Sequence, residues 1–137
     1  MPNQDSVSNP DRLLRVLIVD DMPQVRQELR VLLELSGELQ VVGEAGDAAE
    51  AVRQAKALQP DVVVMDLELV GPDGCEATRE IKARHLAGQV IMWSVHAGLE
   101  DVRRAHQAGA DIFIDKGTRY ETLMSAILAS RPGVKAI

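Results

Sequence analysis

Five side chains of the 137-residue chain end short apolar runs and could do chemistry together. They are Asp20 and Asp21 after Val16–Val19, Asp66 after Val62–Met65, Ser94 after Val90–Trp93, and Lys116 after Ile112–Asp115. In an open parallel sheet, ligands bind outside the carboxyl ends of the strands. If these runs are neighbouring strands, three carboxylates, a hydroxyl and an ammonium therefore share one crevice. Two carboxylates about 4 Å apart repel by roughly 4 kcal/mol at an effective dielectric near 20, so the three need a cation or must take up protons. Oxygen donors with no His or Cys at metal spacing point to a hard divalent ion, Mg²⁺ (or Mn²⁺), held by carboxylates, waters and a phosphate. Lys116 then has a place on the far side of a phosphoryl group. The chemistry is Mg²⁺-assisted phosphoryl transfer with a carboxylate as acceptor.

Taken singly, each residue has a plainer reading. Asp21 before Pro23 fits a helix N-cap with proline in the first turn. Asp66 could open a loop, Ser94 could bond its own turn, and Lys116 could be a solvated strand end. Only a shared position at strand ends makes them a site, so the runs must form one sheet. Together with Gln40–Gly43 they are short, continuous and β-branched, as strands buried on both faces are. Helical spacing lies between them: Val25, Leu29, Leu32 and Leu33; Ala48, Ala51, Val52, Ala55 and Leu58; Ala77 and Ile81; Leu99, Val102 and Ala105; Tyr120, Leu123, Ile127 and Leu128. Gly37, Pro60, Gly88, Gly109 and Pro132 punctuate the alternation. The pattern predicts an α/β domain, doubly wound, with a five-stranded parallel sheet and helices on both faces. Its expected span is residues 12–131, after a disordered N-terminal tail at 1–11 and before a C-terminal tail or linker stub at 132–137.

Composition narrows the function. Fifteen Lys+Arg against 21 Asp+Glu leave a net charge of −6, which argues against non-specific binding to DNA or anionic membrane. Aromatics are 2% of the chain, too few for the stacking platforms of single-stranded nucleic-acid binders. The single Cys75 forms no internal disulfide; at a helix start its thiol pKa could be lowered, but packing is the better reading. No signal peptide or membrane-length apolar run is present, so a cytoplasmic location is expected.

With these residues in view, the chain resembles the receiver (response-regulator) domain of two-component signalling over roughly residues 14–130. Five features carry the likeness: Val-Asp-Asp-Met at 19–22, Met-Asp-Leu at 65–67, Asp73-Gly74, Ser94, and Gly-Ala-Asp-Ile-Phe-Ile-Asp-Lys at 109–116. The resemblance implies the flavodoxin-like strand order 2-1-3-4-5, the order of chemotaxis receivers. It implies that Asp66 is the phosphoacceptor. Asp21 and Asp66 would ligate Mg²⁺ directly, Asp20 directly or through water, and the Glu68 backbone carbonyl would complete the protein ligands. Lys116 would pair with a phosphoryl oxygen, Ser94 would be the switch hydroxyl, and Phe113 the aromatic coupled to it. The donor would be a phosphohistidine on a sensor histidine kinase or histidine phosphotransfer protein. The chain departs from the pattern at Leu69-Val70-Gly71-Pro72, where the loop proline has moved, and at Gly117, where proline is common. Glu68, Val95 and His96 stand at positions that tune phosphoryl lifetime; Val95 is bulky and narrows access to Asp66, and Glu68 disfavours a second anion.

Only Arg131 to Ile137 follow the fifth helix, which favours a stand-alone receiver whose fourth helix, fifth strand and fifth helix switch for a downstream protein target or a phosphorylation-dependent homodimer. Arg103, Arg104 and Arg119 there read as solvated surface, and no nucleic-acid partner is expected of this chain. The alternatives are the receiver part of a longer DNA-binding response regulator, or a pseudo-receiver that keeps the fold as a protein-interaction surface. The presence of Asp21, Asp66 and Lys116 weighs against the latter. A phosphohydrolase of the haloacid-dehalogenase kind would need Asp-x-Asp after the first strand, where Val-Asp-Asp-Met-Pro stands. The chain is thus expected to be a signalling module that catalyses only its own phosphorylation and dephosphorylation.

Overall fold

Alternating β-branched runs and amphipathic segments build ten elements in the computed structural model. They are β1 (Leu14–Val19), α1 (Pro23–Glu34), β2 (Leu39–Ala45), α2 (Ala48–Leu58), β3 (Val62–Met65), α3 (Gly74–Ala83), β4 (Gln89–Ser94), α4 (Leu99–Ala108), β5 (Ile112–Asp115) and α5 (Tyr120–Ala129). The structure describes residues 12–131, so the tails expected at 1–11 and 132–137 lie outside the described residues. All strand pairs are parallel, in the order β2-β1-β3-β4-β5.

Each face of the sheet has its own core. Val16, Ile18, Val62, Val64 and Ile91 pack under α1 and α5 through Leu29, Leu33, Leu123 and Ile127. Leu17, Val19, Val63, Met65, Val90 and Met92 pack under α2, α3 and α4. All four β3 residues are buried, as a central strand covered on both faces requires.

The sequence and the structure differ at two elements. β2 runs on through Glu44 and Ala45, which pair with Ile18 and Val19. Gly43 does not end the strand; it lies at a register shift where a side chain would strike Gln54 and Leu58 of α2. In α4, Leu99 is 79% exposed, and the helix docks through Ala105 and Ala108. An exposed first residue faces the helix's open end, whereas the two alanines fall over the sheet.

Candidate active site

The first acidic loop is set by its backbone. The N-cap of α1 is Met22, with Pro23 starting the helix, so Asp21 is not the cap that its sequence position allowed. Asp20 takes the local role instead, its Oδ1 accepting from the Met22 amide at 2.9 Å. Asp21 is left half-buried beside Asp20 and Asp66. Just beyond β3, the Asp66 amide donates to the Val19 carbonyl at 2.9 Å, which fixes it against the end of β1. The loop beyond it closes through the Gly74 amide to the Leu67 carbonyl, also 2.9 Å. Gly74 is required there, because a Cβ would lie 2.1 Å from the Asp66 carbonyl oxygen.

Asp20, Asp21 and Asp66 each offer an oxygen within 4.8 Å of the others. Lys116, whose amide donates to the Ser94 carbonyl at 2.8 Å, places Nζ 2.8 Å from Asp20 Oδ2 and 3.7 Å from Asp66 Oδ2. The same ammonium lies over the Trp93 ring, 4.7 Å from its centroid. One cation against three carboxylates leaves excess negative charge, and the consequence falls on Asp66. Its carboxyl is pushed up to about 7, first by burial, with Lys116 opposing and Asp20 and Asp21 adding to the rise. A hard divalent cation fits this all-oxygen cluster, since its charge would offset the burial and the repulsion that otherwise keep a proton on Asp66.

Asp66 Oδ1 accepts from the Glu68 amide at 3.1 Å, which turns Oδ2 toward Lys116. Ser94 is fully buried and its Oγ accepts from the His96 amide at 3.0 Å. Phe113 is half-buried on the α4 side of the sheet, lining a cavity of about 130 Å³ with Val102, Ala105 and His106. Trp93 packs on the opposite face with Tyr120 and Ile114, so these two aromatics do not share a pocket.

The structure adds detail at four of the residues singled out in the sequence. Val95 is 67% exposed. The Glu68 carboxylate is not an isolated charge, since His96 Nε2 is paired with it across the mouth of the crevice. Arg104 is not merely solvated. Its Nη2 meets Asp73 Oδ2 at 2.5 Å while Asp73 Oδ1 caps α3, so α4 is tied to the start of α3. Cys75 is buried, in keeping with the packing reading, and its thiol pKa is raised, by burial first and Asp73 second. At Gly117 the amide is in use, donating to Asp115 Oδ1 at 2.7 Å, a bond that proline cannot make. A further group beside the loop, Arg26 with Glu44, has no local mark beyond the helical spacing of Arg26 and Arg30.

A doubly wound parallel sheet with an acidic crevice at the carboxyl ends of β1 and β3, and a lysine just beyond β5 reaching into it, places the chain in the doubly wound α/β class with its candidate site at the strand ends. Residues 16–128 match the response regulator receiver domain family, and the chain belongs to that family. Among its relatives, it is 37% identical over 121 residues to the nitrate/nitrite response regulator NarP of Escherichia coli (strain K12), with 88% of this chain and 56% of that protein covered. It is 36% identical over 121 residues to the transcriptional regulatory protein LiaR of Bacillus subtilis (strain 168), covering 88% and 57%. The chain thus spans little more than half the length of these curated relatives. The signal receiver domain of NarL from Mycobacterium tuberculosis superposes with a TM-score of 0.83 at 32% identity, covering 89% of this chain and 98% of that one. Among the described residues, no helix is long and apolar enough to cross a membrane.

Proposed function

We propose that this receiver accepts a phosphoryl group on Asp66 from a phosphohistidine of a sensor histidine kinase or histidine phosphotransfer protein. One observation carries the reading: a buried carboxylate held with two others within 4.8 Å and with Lys116 Nζ 3.7 Å away. An Asp66 oxygen attacks phosphorus, the P–N bond breaks, and its electron pair leaves on the imidazole nitrogen, which takes up a proton. Asp20, Asp21, Asp66 and the Glu68 carbonyl would hold Mg²⁺, which when bound supplies positive charge against the phosphoryl oxygens and the carboxylates. Lys116 exchanges Asp20 for a phosphoryl oxygen, and Ser94 leaves the His96 amide to donate to another. Phe113 and the cavity under α4 give that movement space, so α4, β5 and α5 present a changed face to a protein target or to a second phosphorylated copy. Val95, and Glu68 paired with His96, flank the route by which water reaches the acyl phosphate and set its lifetime.

Intact-mass spectrometry after incubation with acetyl phosphate and Mg²⁺ tests this. A phosphoryl adduct on the wild type and none on Asp66→Asn supports it. No adduct from that donor or from a phosphohistidine protein would mean that the fold serves as a binding surface alone.

A second reading, that the receiver works within a longer DNA-binding regulator, is supported by the covered lengths of NarP and LiaR, 56% and 57%, and by LiaR being a transcriptional regulatory protein. An immunoblot of the native cell extract separates the two: a band near 14.9 kDa supports stand-alone action, and one of roughly twice that mass supports the longer regulator.

A further inference from the structure

Glu44, at the end of β2, is gripped by two arginines one turn apart on α1. Arg26 Nε lies 3.1 Å from Oε1 and Arg30 Nε lies 2.7 Å from Oε2. Arg30 is braced in turn by the Val41 carbonyl at 3.3 Å. Arg26 has a second task. Its Nη1 donates at 2.6 Å to the backbone carbonyl of Asp20, while the Asp20 amide donates to the Ala45 carbonyl at 3.1 Å. Because a peptide unit is planar, fixing the Asp20 oxygen also fixes the direction in which the chain reaches the Asp21 Cα. The bare backbone of Gly46 leaves room for the guanidinium, since a Cβ there would lie 3.3 Å from Arg26 Nη1.

We infer that Arg26, clamped by Glu44, is a positioning residue that orients the Asp20–Asp21 peptide so that both carboxylates face Asp66 and a divalent cation. This rests on the reading of those three carboxylates as the Mg²⁺ site. It makes an unusual prediction about sign. Charge alone says that removing a cation from beside an acidic crevice tightens Mg²⁺ binding. Positioning says that the same change weakens it, as the loss of groups that orient metal ligands does.

The test is calorimetric titration of Mg²⁺ into the wild type, Arg26→Gln and Arg26→Lys. Fluorescence of Trp93, the single tryptophan, gives a parallel signal because Lys116 lies over its ring. Arg26→Gln is expected to raise the Mg²⁺ dissociation constant roughly tenfold. Arg26→Lys keeps the charge but can serve fewer acceptors, and is expected to raise it by less. A folded Arg26→Gln that binds Mg²⁺ as tightly as the wild type, or more tightly, overturns the inference even if its melting temperature falls. If Arg26→Gln does not fold, Arg26→Lys decides, because its charge is unchanged and wild-type affinity would sink the idea. A wild type that takes up no Mg²⁺ overturns the metal site itself, and this inference with it.

Discussion

A carboxylate that attacks phosphorus must be ionised, and Asp66 sits where ionisation costs most. It is 7% exposed, and Asp20 and Asp21 add repulsion that Lys116 only partly offsets. The cost appears in stability, because the folded chain holds the Asp66 proton up to about pH 7 whereas the unfolded chain releases it near its ordinary value of 3.8. Below the ordinary value both states carry the proton and there is no penalty. As pH rises from about 4 to about 7 only the unfolded state loses it, so the metal-free protein loses up to ~4 kcal/mol of stability across that window. Chemical denaturation in EDTA at stepped pH reads this slope, and Asp66→Asn is expected to remove most of it and be the more stable protein at pH 8. Added Mg²⁺ flattens the wild-type slope, since binding to the ionised native state stabilises it. A wild-type curve in EDTA parallel to that of Asp66→Asn would show that Asp66 is not strained.

At the scale of elements, the helices are not equally secured. α1 and α5 bury Leu29, Leu33, Leu123 and Ile127, side chains worth about 1.5–3 kcal/mol each, whereas α4 buries Ala105 and Ala108, nearer 0.8 kcal/mol per methyl. The Arg104–Asp73 bridge adds little, because both partners keep solvent contact. Hydrogen exchange is expected to show α4 amides losing protection about tenfold faster or more than those of α1. Equal protection would remove the case for α4 as the moving part. By contrast, the β3–α3 connection is rigid at Gly74. Gly74→Ala puts a methyl against the Asp66 carbonyl, so a melting experiment is expected to show a loss of about 1–3 kcal/mol together with slower phosphorylation. These contrasts were only partly legible in the sequence. The helical period located α4, yet with few apolar residues in it the period could not say that Leu99 faces solvent. The apolar run likewise stopped at Gly43, whereas β2 continues to Ala45 and Gly43 lets Gln54 and Leu58 come close.

Across the whole molecule, the acidic crevice was legible because its residues stand at the ends of apolar runs, a local signal that survives folding, whereas the strand order was implied only by the resemblance to the receiver family. Contacts such as Lys116 to Asp20, 96 positions apart, and Arg104 to Asp73, 31 apart, carry no local signal and depend on how the elements dock. The same docking decides what the net charge of −6 means for partners. Arg12, Arg26, Arg30, Lys82, Arg84, Arg104 and Lys116 all meet carboxylates, and Arg103 and Arg119 lie beside Glu100 and Glu121. Non-specific DNA affinity comes from neutralising phosphates with such side chains, so cations already committed to carboxylates supply little of it. Phosphorylation of Asp66 adds further negative charge and moves the balance the wrong way. The 137-residue chain is therefore expected to leave duplex DNA unretarded in a mobility-shift assay near physiological salt, with or without acetyl phosphate and Mg²⁺. Retardation that weakens as salt is raised would show that the chain carries a phosphate-binding surface of its own, whereas its absence would assign any DNA contact of a longer regulator to residues outside these 137.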